Sequence, residues 1–157
     1  MAQRIMVQAF IGIGANLGDA RATVQQAVRD LSSMPFTRVL RASSLYRSAP
    51  VDAQGPDFIN AVAMVDTALT APELLAQLQA LEQRAGRKRP YPNAPRTLDL
   101  DLLLFGDARI DSPSLTVPHP RWAQRAFVLL PLAELAPDRV SAPQRVAVAG
   151  QRIERLD

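Results

Sequence analysis

Cysteine is absent from this sequence. Its absence excludes disulfide bridges, thiolate nucleophiles and cysteine-based zinc sites, so stability has to come from packing. Long apolar runs are missing as well: none approaches the ~20 residues that a bilayer-spanning helix needs, and residues 1–4 do not begin a signal peptide. We therefore expect a cytoplasmic protein with no membrane contact.

Lysine and histidine are scarce. Lys88 is the one lysine among 18 basic residues, and His119 is the one histidine. Arginine suits bidentate phosphate contacts, although arginine richness also follows from genome composition, and a lone histidine is usually an ordinary surface or core residue. The net charge of +3 is modest, and we expect no nucleic-acid partner.

The common nucleotide-binding motifs are also missing. No segment matches G-x-x-x-x-G-K-[ST], and Gly12, Gly14 and Gly18 miss the dinucleotide-binding spacing by one residue. These absences exclude a P-loop or Rossmann domain. The glycines are expected to shape a turn after the first strand, where the backbone can approach a substrate.

What is present suits one compact domain over residues 1–157. The chain is 48% hydrophobic, and a domain of this size buries roughly 68–70% of its unfolded surface. Periodicity and turn residues predict four strands, over residues 5–13, 37–47, 57–67 and 97–105. They also predict two helices, one that Asn16 caps and one that opens with the capping box Thr70-Ala71-Pro72-Glu73 and ends at Gly86.

The resulting order, β-α-β-β-α-β, is that of a ferredoxin-like α+β sandwich, with an antiparallel sheet and helices on one face. The second face needs its own cover. Residues 114–157 are expected to supply part of it through a short helix near 126–135, which Pro131 interrupts. Beyond Pro137 the pattern is weak.

Asp99 and Asp101 carry the most specific chemical signal. Residues two apart on a strand point to the same face, so both carboxylates project together while leucines at positions 98, 100, 102 and 104 line the other face. Two ionised carboxylates at roughly 7 Å repel each other, so a nearby cation is needed to compensate their charge. Magnesium with substrate phosphates meets this need, and so does a salt bridge to arginine. Taken alone, the two interpretations are about evenly balanced.

The segment before these aspartates is strongly basic. Its cations are Arg84, Arg87, Lys88, Arg89 and Arg96, with no acid between them. The dipole of a helix end explains Arg84 and Arg87 without any function, but it does not explain Arg96 beside the aspartates. Cations and carboxylates around one place are typical of phosphoryl transfer.

Six blocks, in this order, resemble the hydroxymethyldihydropterin pyrophosphokinase family of folate biosynthesis. They are FIGIGANLG at 10–18, SLYRSAP at 44–50, DFINA at 57–61, APRTLDLD at 94–101, VPH at 117–119 and RAF at 125–127. The resemblance covers roughly residues 5–137, and PRTLDLD is long enough to be specific. It implies transfer of pyrophosphate from ATP to 6-hydroxymethyl-7,8-dihydropterin by a monomeric enzyme, with AMP as the second product.

The resemblance also implies site residues. Asp99 and Asp101 are expected to hold two Mg²⁺ ions, with Arg87 and Arg96 beside them in the catalytic set. The residues expected to bind ATP are Gln79, Glu82, Arg89, Arg96, Leu102, Thr116, His119 and Arg125. The pterin is expected to stack between Phe58 and Phe127, with its polar edge at Ser48, Asn60 and the Val51 backbone. Without the family match, both phenylalanines are better explained as core.

Some features depart from the family's pattern. The loop before Arg96 is one residue shorter and has Tyr91-Pro92-Asn93-Ala94 where members often show Trp-Gly. Residues 48–56 and 87–96 are expected to close over the substrates, as the family's loops do. Two rival classes are a metal-dependent nuclease that uses the same aspartates and arginines, and a non-catalytic ferredoxin-like ligand-binding module. Neither explains the paired phenylalanines and the ordered blocks.

Overall fold

An antiparallel sheet forms the centre of the molecule. The computed structural model describes residues 5–50, 55–86 and 98–156. Within these ranges the strands are β1 Val7–Ala15, β2 Thr37–Ala42, β3 Tyr46–Ser48, β4 Phe58–Thr67, β5 Asp99–Phe105, β6 Ile110–Asp111, β7 Thr116–Val117 and β8 Ile153–Arg155. Six of them form one sheet in the order β5-β1-β4-β3-β8, with β2 also paired to β4, while β6 and β7 form a separate ribbon.

Helices lie on both faces of this sheet. They are α1 Ala20–Leu31, α2 Ala71–Gly86, α3 Ala126–Leu135 and α4 Ala142–Ala147. The order of β1, α1, β2 with β3, β4, α2 and β5 confirms the predicted ferredoxin-like α+β arrangement. In the part of the chain that the structure describes, no helix is both long and apolar enough to cross a membrane.

Each face of the sheet carries a buried apolar layer. On the first face α1 and α2 bring in Val24, Leu31, Leu74 and Leu78, all 0% exposed. On the second face α3 packs Leu129 and Leu132 against Phe10, Val62 and Leu103. Residues from the C-terminal third therefore cover the second face, as predicted.

Side-chain caps set where the first two helices begin. The predicted capping box of α2 is present: the Thr70 N–H donates to Glu73 Oε1 at 2.9 Å, and the Glu73 N–H donates to Thr70 Oγ1 at 3.3 Å. The cap predicted for α1 is wrong, because Asp19 Oδ1, not Asn16, accepts from the Ala22 N–H at 3.1 Å. Asn16 instead donates from Nδ2 to the Pro56 carbonyl at 3.3 Å.

The strand predicted over residues 37–47 is in fact two strands. β2 and β3 pair with different halves of β4, Thr37 beside Thr67 and Tyr46 beside Asn60. Between them the Ser43 hydroxyl accepts from the Val62 N–H at 2.9 Å. A serine side chain thus takes the place of a strand carbonyl and interrupts the ladder.

Helix α3 runs through Pro131 without a break, so the predicted interruption is wrong. A proline inside a helix costs about 3 kcal/mol. Leu129 and Leu132 on the same helix are 0% exposed, and each buried leucine contributes about 1.5–3 kcal/mol. Packing of α3 against the sheet therefore outweighs the cost of the proline.

A bulge in β5 changes which leucines share a face. The pairing with β1 passes from Leu104 to Leu102, which leaves Leu103 as an extra residue. Leu102 packs on the first face, as predicted, whereas Leu104 packs beside Leu103 on the second. The face predicted for Leu104 is wrong because the strict alternation of a strand ends at the bulge.

Candidate active site

A cavity of about 200 Å³ opens on the second face, where β5, β1 and β4 lie side by side. The strand register puts Asp99 beside Gly14 and Gly14 beside Asn60, so these three residues form one row across the sheet. Asp101 lies beside Gly12 in the same way. Strand pairing alone thus places the two aspartates next to Gly12 and Gly14, where the backbone carries no side chains.

The two glycines form the floor of this cavity. A Cβ atom on Gly14 would lie 3.3 Å from Asn60 Oδ1, and one on Gly12 would lie 3.4 Å from two carbons of Leu103. Both glycines lie inside β1, which continues to Ala15. The turn predicted at Gly12 and Gly14 is therefore wrong, whereas Gly18, with a φ of +59°, does lie in the bend after β1. Because Gly12 and Gly14 have no side chains, they leave open space above the strand.

Asp99 and Asp101 lie on the same side of β5, as predicted, and both line the cavity. Asp99 is exposed and Asp101 is half-buried. Between them the Leu100 N–H donates to Glu82 Oε2 of α2 at 2.9 Å. Because β5 is an edge of the sheet, this bond fixes the strand at the point where it presents its carboxylates.

The donor set at β5 fits magnesium. Carboxylate oxygens are the ligands that Mg²⁺ prefers, and it commonly takes one or two of them with water and phosphate oxygens. Over residues 5–50, 55–86 and 98–156, no group of three acids, histidines or cysteines could hold a metal ion. Two carboxylates therefore leave most of the coordination sphere to a substrate.

Four of the five residues predicted to bind the pterin meet in the same cavity. Phe58 and Phe127 are half-buried and line it together with Ser48 and Asn60. The Asn60 amide donates from Nδ2 to Ser48 Oγ at 2.7 Å, and both side chains are buried. This bond fixes the amide plane. Val51, the fifth residue, lies outside the described residues.

Arg125 lines the cavity, and His119 lies next to β5. The Arg125 guanidinium carbon is 5.4 Å from the centre of the Phe127 ring, within cation–π range. The His119 N–H donates to the Leu103 carbonyl at 3.0 Å, which ties the histidine to β5. Burial lowers the pKa of His119. The negative charge of Asp101 opposes this shift, while the positive charges of Arg125 and Arg121 lower the pKa further. The ring is therefore neutral near pH 7.

Of the other residues predicted to bind ATP, those that the structure describes do not line this cavity. Gln79 is exposed on α2, Leu102 is buried on the first face, and Thr116 is exposed on β7. Glu82 faces β5 through its bond to Leu100. Arg87, Arg89 and Arg96 lie outside the described residues, as does the whole loop predicted over 87–96.

One polar cluster near the cavity was not predicted from the sequence. Glu134 of α3 accepts from the Tyr46 hydroxyl at 2.8 Å and from the Ser44 N–H at 3.0 Å, and Arg155 lies 3.8 Å away. Burial, followed by the Glu134 hydrogen bond and charge, raises the pKa of Tyr46 to about 12. No spacing signal links Glu134 to Tyr46, since 88 residues separate them.

Comparison with known proteins gives a consistent result. The family model described as 7,8-dihydro-6-hydroxymethylpterin-pyrophosphokinase (HPPK) matches residues 10–137. The chain is 42% identical over 149 residues to the 2-amino-4-hydroxy-6-hydroxymethyldihydropteridine pyrophosphokinase of Synechocystis sp., covering 95% of this chain and 76% of the relative. It is 46% identical over 139 residues to the enzyme of the same name from Pseudomonas aeruginosa, covering 88% and 83%.

A solved structure shares the fold. The crystal structure of wild-type Plasmodium falciparum HPPK-DHPS with pterin and p-hydroxybenzoate superposes with a TM-score of 0.68 at 13% identity. The match covers 87% of this chain and 41% of the Plasmodium chain. This chain thus corresponds to about two fifths of that protein.

Proposed function

This chain belongs to the 7,8-dihydro-6-hydroxymethylpterin-pyrophosphokinase (HPPK) family, and from that premise we propose that its cavity is the site of pyrophosphate transfer. The donor is ATP and the acceptor is the hydroxymethyl group of 6-hydroxymethyl-7,8-dihydropterin. The products are AMP and the pterin diphosphate, as folate biosynthesis requires. The observation that carries this proposal is that two strand aspartates and two phenylalanines line one cavity.

The phenylalanine pair supports binding of the pterin acceptor. Phe58 and Phe127 come from β4 and α3, on different layers of the molecule. A flat heterocycle between the two rings gains stacking of about 0.5–1.5 kcal/mol per aromatic pair beyond its buried area. Asn60 and Ser48, fixed to each other, can then read the polar edge of the ring.

The aspartate pair supports binding of the donor phosphates. Asp99 and Asp101 would hold Mg²⁺, with two ions expected, and the metal would supply positive charge against the triphosphate. The bond to Glu82 and the pairing with β1 hold these carboxylates in place. The acceptor hydroxyl oxygen attacks the β-phosphorus and releases its proton to solvent. The bond from that phosphorus to the α–β bridging oxygen breaks, and AMP leaves with the bridging oxygen.

Two further side chains support charge balance at the site. Arg125, beside the Phe127 ring, lines the same cavity as the two aspartates, where its guanidinium can reach a phosphate. His119 is held next to β5 by its backbone bond to Leu103, and its neutral ring can donate one hydrogen bond. Positioning and charge neutralisation account for catalysis in this scheme.

The adenosine side of the site stays a prediction. Glu82 already accepts from Leu100, so it would bind a ribose hydroxyl with its remaining lone pairs. Leu102 is 3% exposed and would contribute through its backbone. Gln79 and Thr116 are exposed and accessible to a nucleotide. The roles of Arg87, Arg89, Arg96 and Val51 stay predictions, as do the cytoplasmic location and the monomeric state.

The test of this function is AMP release from ATP. With Mg²⁺ present, we expect AMP to form only when the reduced pterin alcohol is added, in equal amounts with the pterin diphosphate. Chromatography of both products measures this. AMP formation without the pterin would overturn the proposal, and cleavage of a DNA or RNA substrate by the same sample would favour the nuclease alternative.

A further inference from the structure

A second groove adjoins the cavity at its pterin end. It has a volume of about 710 Å³, and Ser48, Ala49, Arg125 and Phe127 line both spaces. The groove extends from there past Arg121 and Gln124 to Gln151, Arg152 and Ile153 at β8. Asp99 and Asp101 do not line it. It is therefore continuous with the proposed pterin slot but lies away from the metal ligands.

Three arginines line this groove, and none of its described lining residues is acidic. They are Arg121, Arg125 and Arg152. Elsewhere Arg38, Arg47, Arg139 and Arg155 each lie within 4.0 Å of a carboxylate oxygen. For the three groove arginines no such pair occurs with any residue in the described ranges. The groove therefore carries positive charge that no carboxylate of residues 5–50, 55–86 and 98–156 pairs with.

The wall of the groove is held in place by hydrogen bonds. Gln151 Oε1 accepts from the Ala126 N–H at 2.8 Å, and Gln151 Nε2 donates to the Gln124 carbonyl at 2.7 Å. This one side chain joins the C-terminal segment, which carries Arg152, to the start of α3, and it lines the groove with both arginines. The arginines are thus carried on a fixed frame, which lowers the entropy cost of binding an anion.

We propose that this groove binds a diphosphate group, and that the diphosphate of the pterin product occupies it on the way out of the cavity. Planar guanidinium groups make paired hydrogen bonds with phosphate oxygens. The shared wall at Ser48 and Phe127 belongs to the pterin side, so the anion received there is the one attached to the pterin and not the nucleotide. This inference rests on the proposed function.

Magnesium-free binding of inorganic pyrophosphate tests the groove itself. With EDTA present the carboxylates of Asp99 and Asp101 repel anions, so pyrophosphate binding measured by calorimetry reports on the arginines. We expect Arg121→Gln with Arg152→Gln to weaken the Kd at least about tenfold, the loss typical of a hydrogen bond to a charged group. Arg29→Gln with Arg109→Gln removes the same charge from exposed sites outside the groove and should leave the Kd unchanged.

Product inhibition tests the link to the reaction. The inhibition constant for added pterin diphosphate should rise at least about tenfold in the groove variant and stay unchanged in the control. Equal pyrophosphate Kd values in the two double variants would overturn the groove site. A pyrophosphate effect without any effect on product inhibition would overturn its use by the product. Loss of the pterin-dependent reaction in the unaltered protein would instead refute the proposed function, while the pyrophosphate measurement would still decide on the groove.

Discussion

At the scale of single residues, the cavity depends on two glycines as much as on the charged groups. Gly12 and Gly14 stand in a strand, where glycine weakens the sheet and adds no packing. Each lies beside one of the two aspartates in the register. Gly12 and Gly14 therefore leave open space above the backbone, which the side chain of any other residue would fill.

Substitution of Gly14 by alanine should affect pterin binding more than stability. The new Cβ would lie 3.3 Å from Asn60 Oδ1 and 3.9 Å from Phe58, which displaces the amide from its bond to Ser48. We expect the KM for the pterin to rise about tenfold, the equivalent of one hydrogen bond, with little change in the KM for ATP. Gly150→Ala, where a Cβ meets nothing within 4 Å, is the control. Equal pterin KM values in the two variants would contradict this role.

Substitution of either Asp99 or Asp101 by alanine should abolish turnover and leave the fold intact. A loss of at least about a thousandfold is expected, because the charge that a metal supplies is worth several kcal/mol. Neither carboxylate is buried in the core, so the melting temperature should not fall. Asp111→Ala on β6, also exposed, controls for the loss of one charge. Full activity in both site variants would refute the metal assignment.

At the scale of elements, α3 connects the second core to the cavity. Its N-terminal end carries Phe127, which lines the cavity. Its C-terminal end carries Glu134, which accepts hydrogen bonds from the Ser44 N–H and the Tyr46 hydroxyl. The buried leucines of the helix fix its distance from the sheet. Glu134 fixes its lateral position against β3, and so helps to set where the Phe127 ring stands.

Burial of Tyr46, together with its hydrogen bond to Glu134, should make stability depend on alkaline pH. The folded-state pKa of Tyr46 is about 12 against an ordinary value of 10.0, so the folded state holds this proton more tightly than the unfolded state. The stabilisation is fully present below pH 10 and is lost between pH 10 and pH 12. Denaturant unfolding at several pH values should show this decline in the free energy of unfolding.

Tyr46→Phe should remove most of that decline and lower stability at pH 8 by about 0.5–1.5 kcal/mol, the contribution of one hydrogen bond. Tyr91→Phe replaces the other tyrosine of the chain and is the matched control. An unchanged alkaline decline in the Tyr46 variant would show that another group is responsible.

At the scale of the whole molecule, one sheet serves two cores, so the layers should unfold together as the single domain proposed for residues 1–157. Leu78 on the first face and Leu129 on the second are both 0% exposed. Truncation of either to alanine should cost about 2–5 kcal/mol. We expect one cooperative transition in each case, since β1, β4 and β5 contribute to both layers. Two separate transitions would contradict a single domain.

The same two alanine variants, of Leu78 and Leu129, should affect the KM values of the two substrates differently. Leu129→Ala loosens α3, which carries Phe127, and should raise the KM for the pterin. Leu78→Ala loosens α2, which carries Gln79 and Glu82, and should raise the KM for ATP. Steady-state kinetics on both variants measures this. Identical effects on the two KM values would contradict the proposal that the pterin binds beside α3 and the adenosine of ATP beside α2.

The sequence by itself determined the elements and the chemistry. Period-two alternation placed both aspartates on one side of a strand, a capping box set the start of α2, and the ordered blocks led to the phenylalanine pair. These are local patterns, and local sterics and hydrogen bonding decide them. The same rules erred at Asn16, at Pro131 and at Leu104, where a neighbouring cap, core packing and a bulge prevailed.

Only the tertiary structure decided which residues line the cavity together. Strand register put Gly14 between Asp99 and Asn60, and the packing of α3 brought Phe127 to Phe58. The contact of Glu134 with Tyr46 and the arginine groove beside β8 join residues that are far apart in the chain. No local pattern encodes such contacts, because they arise when the two faces of the sheet bury their apolar layers together.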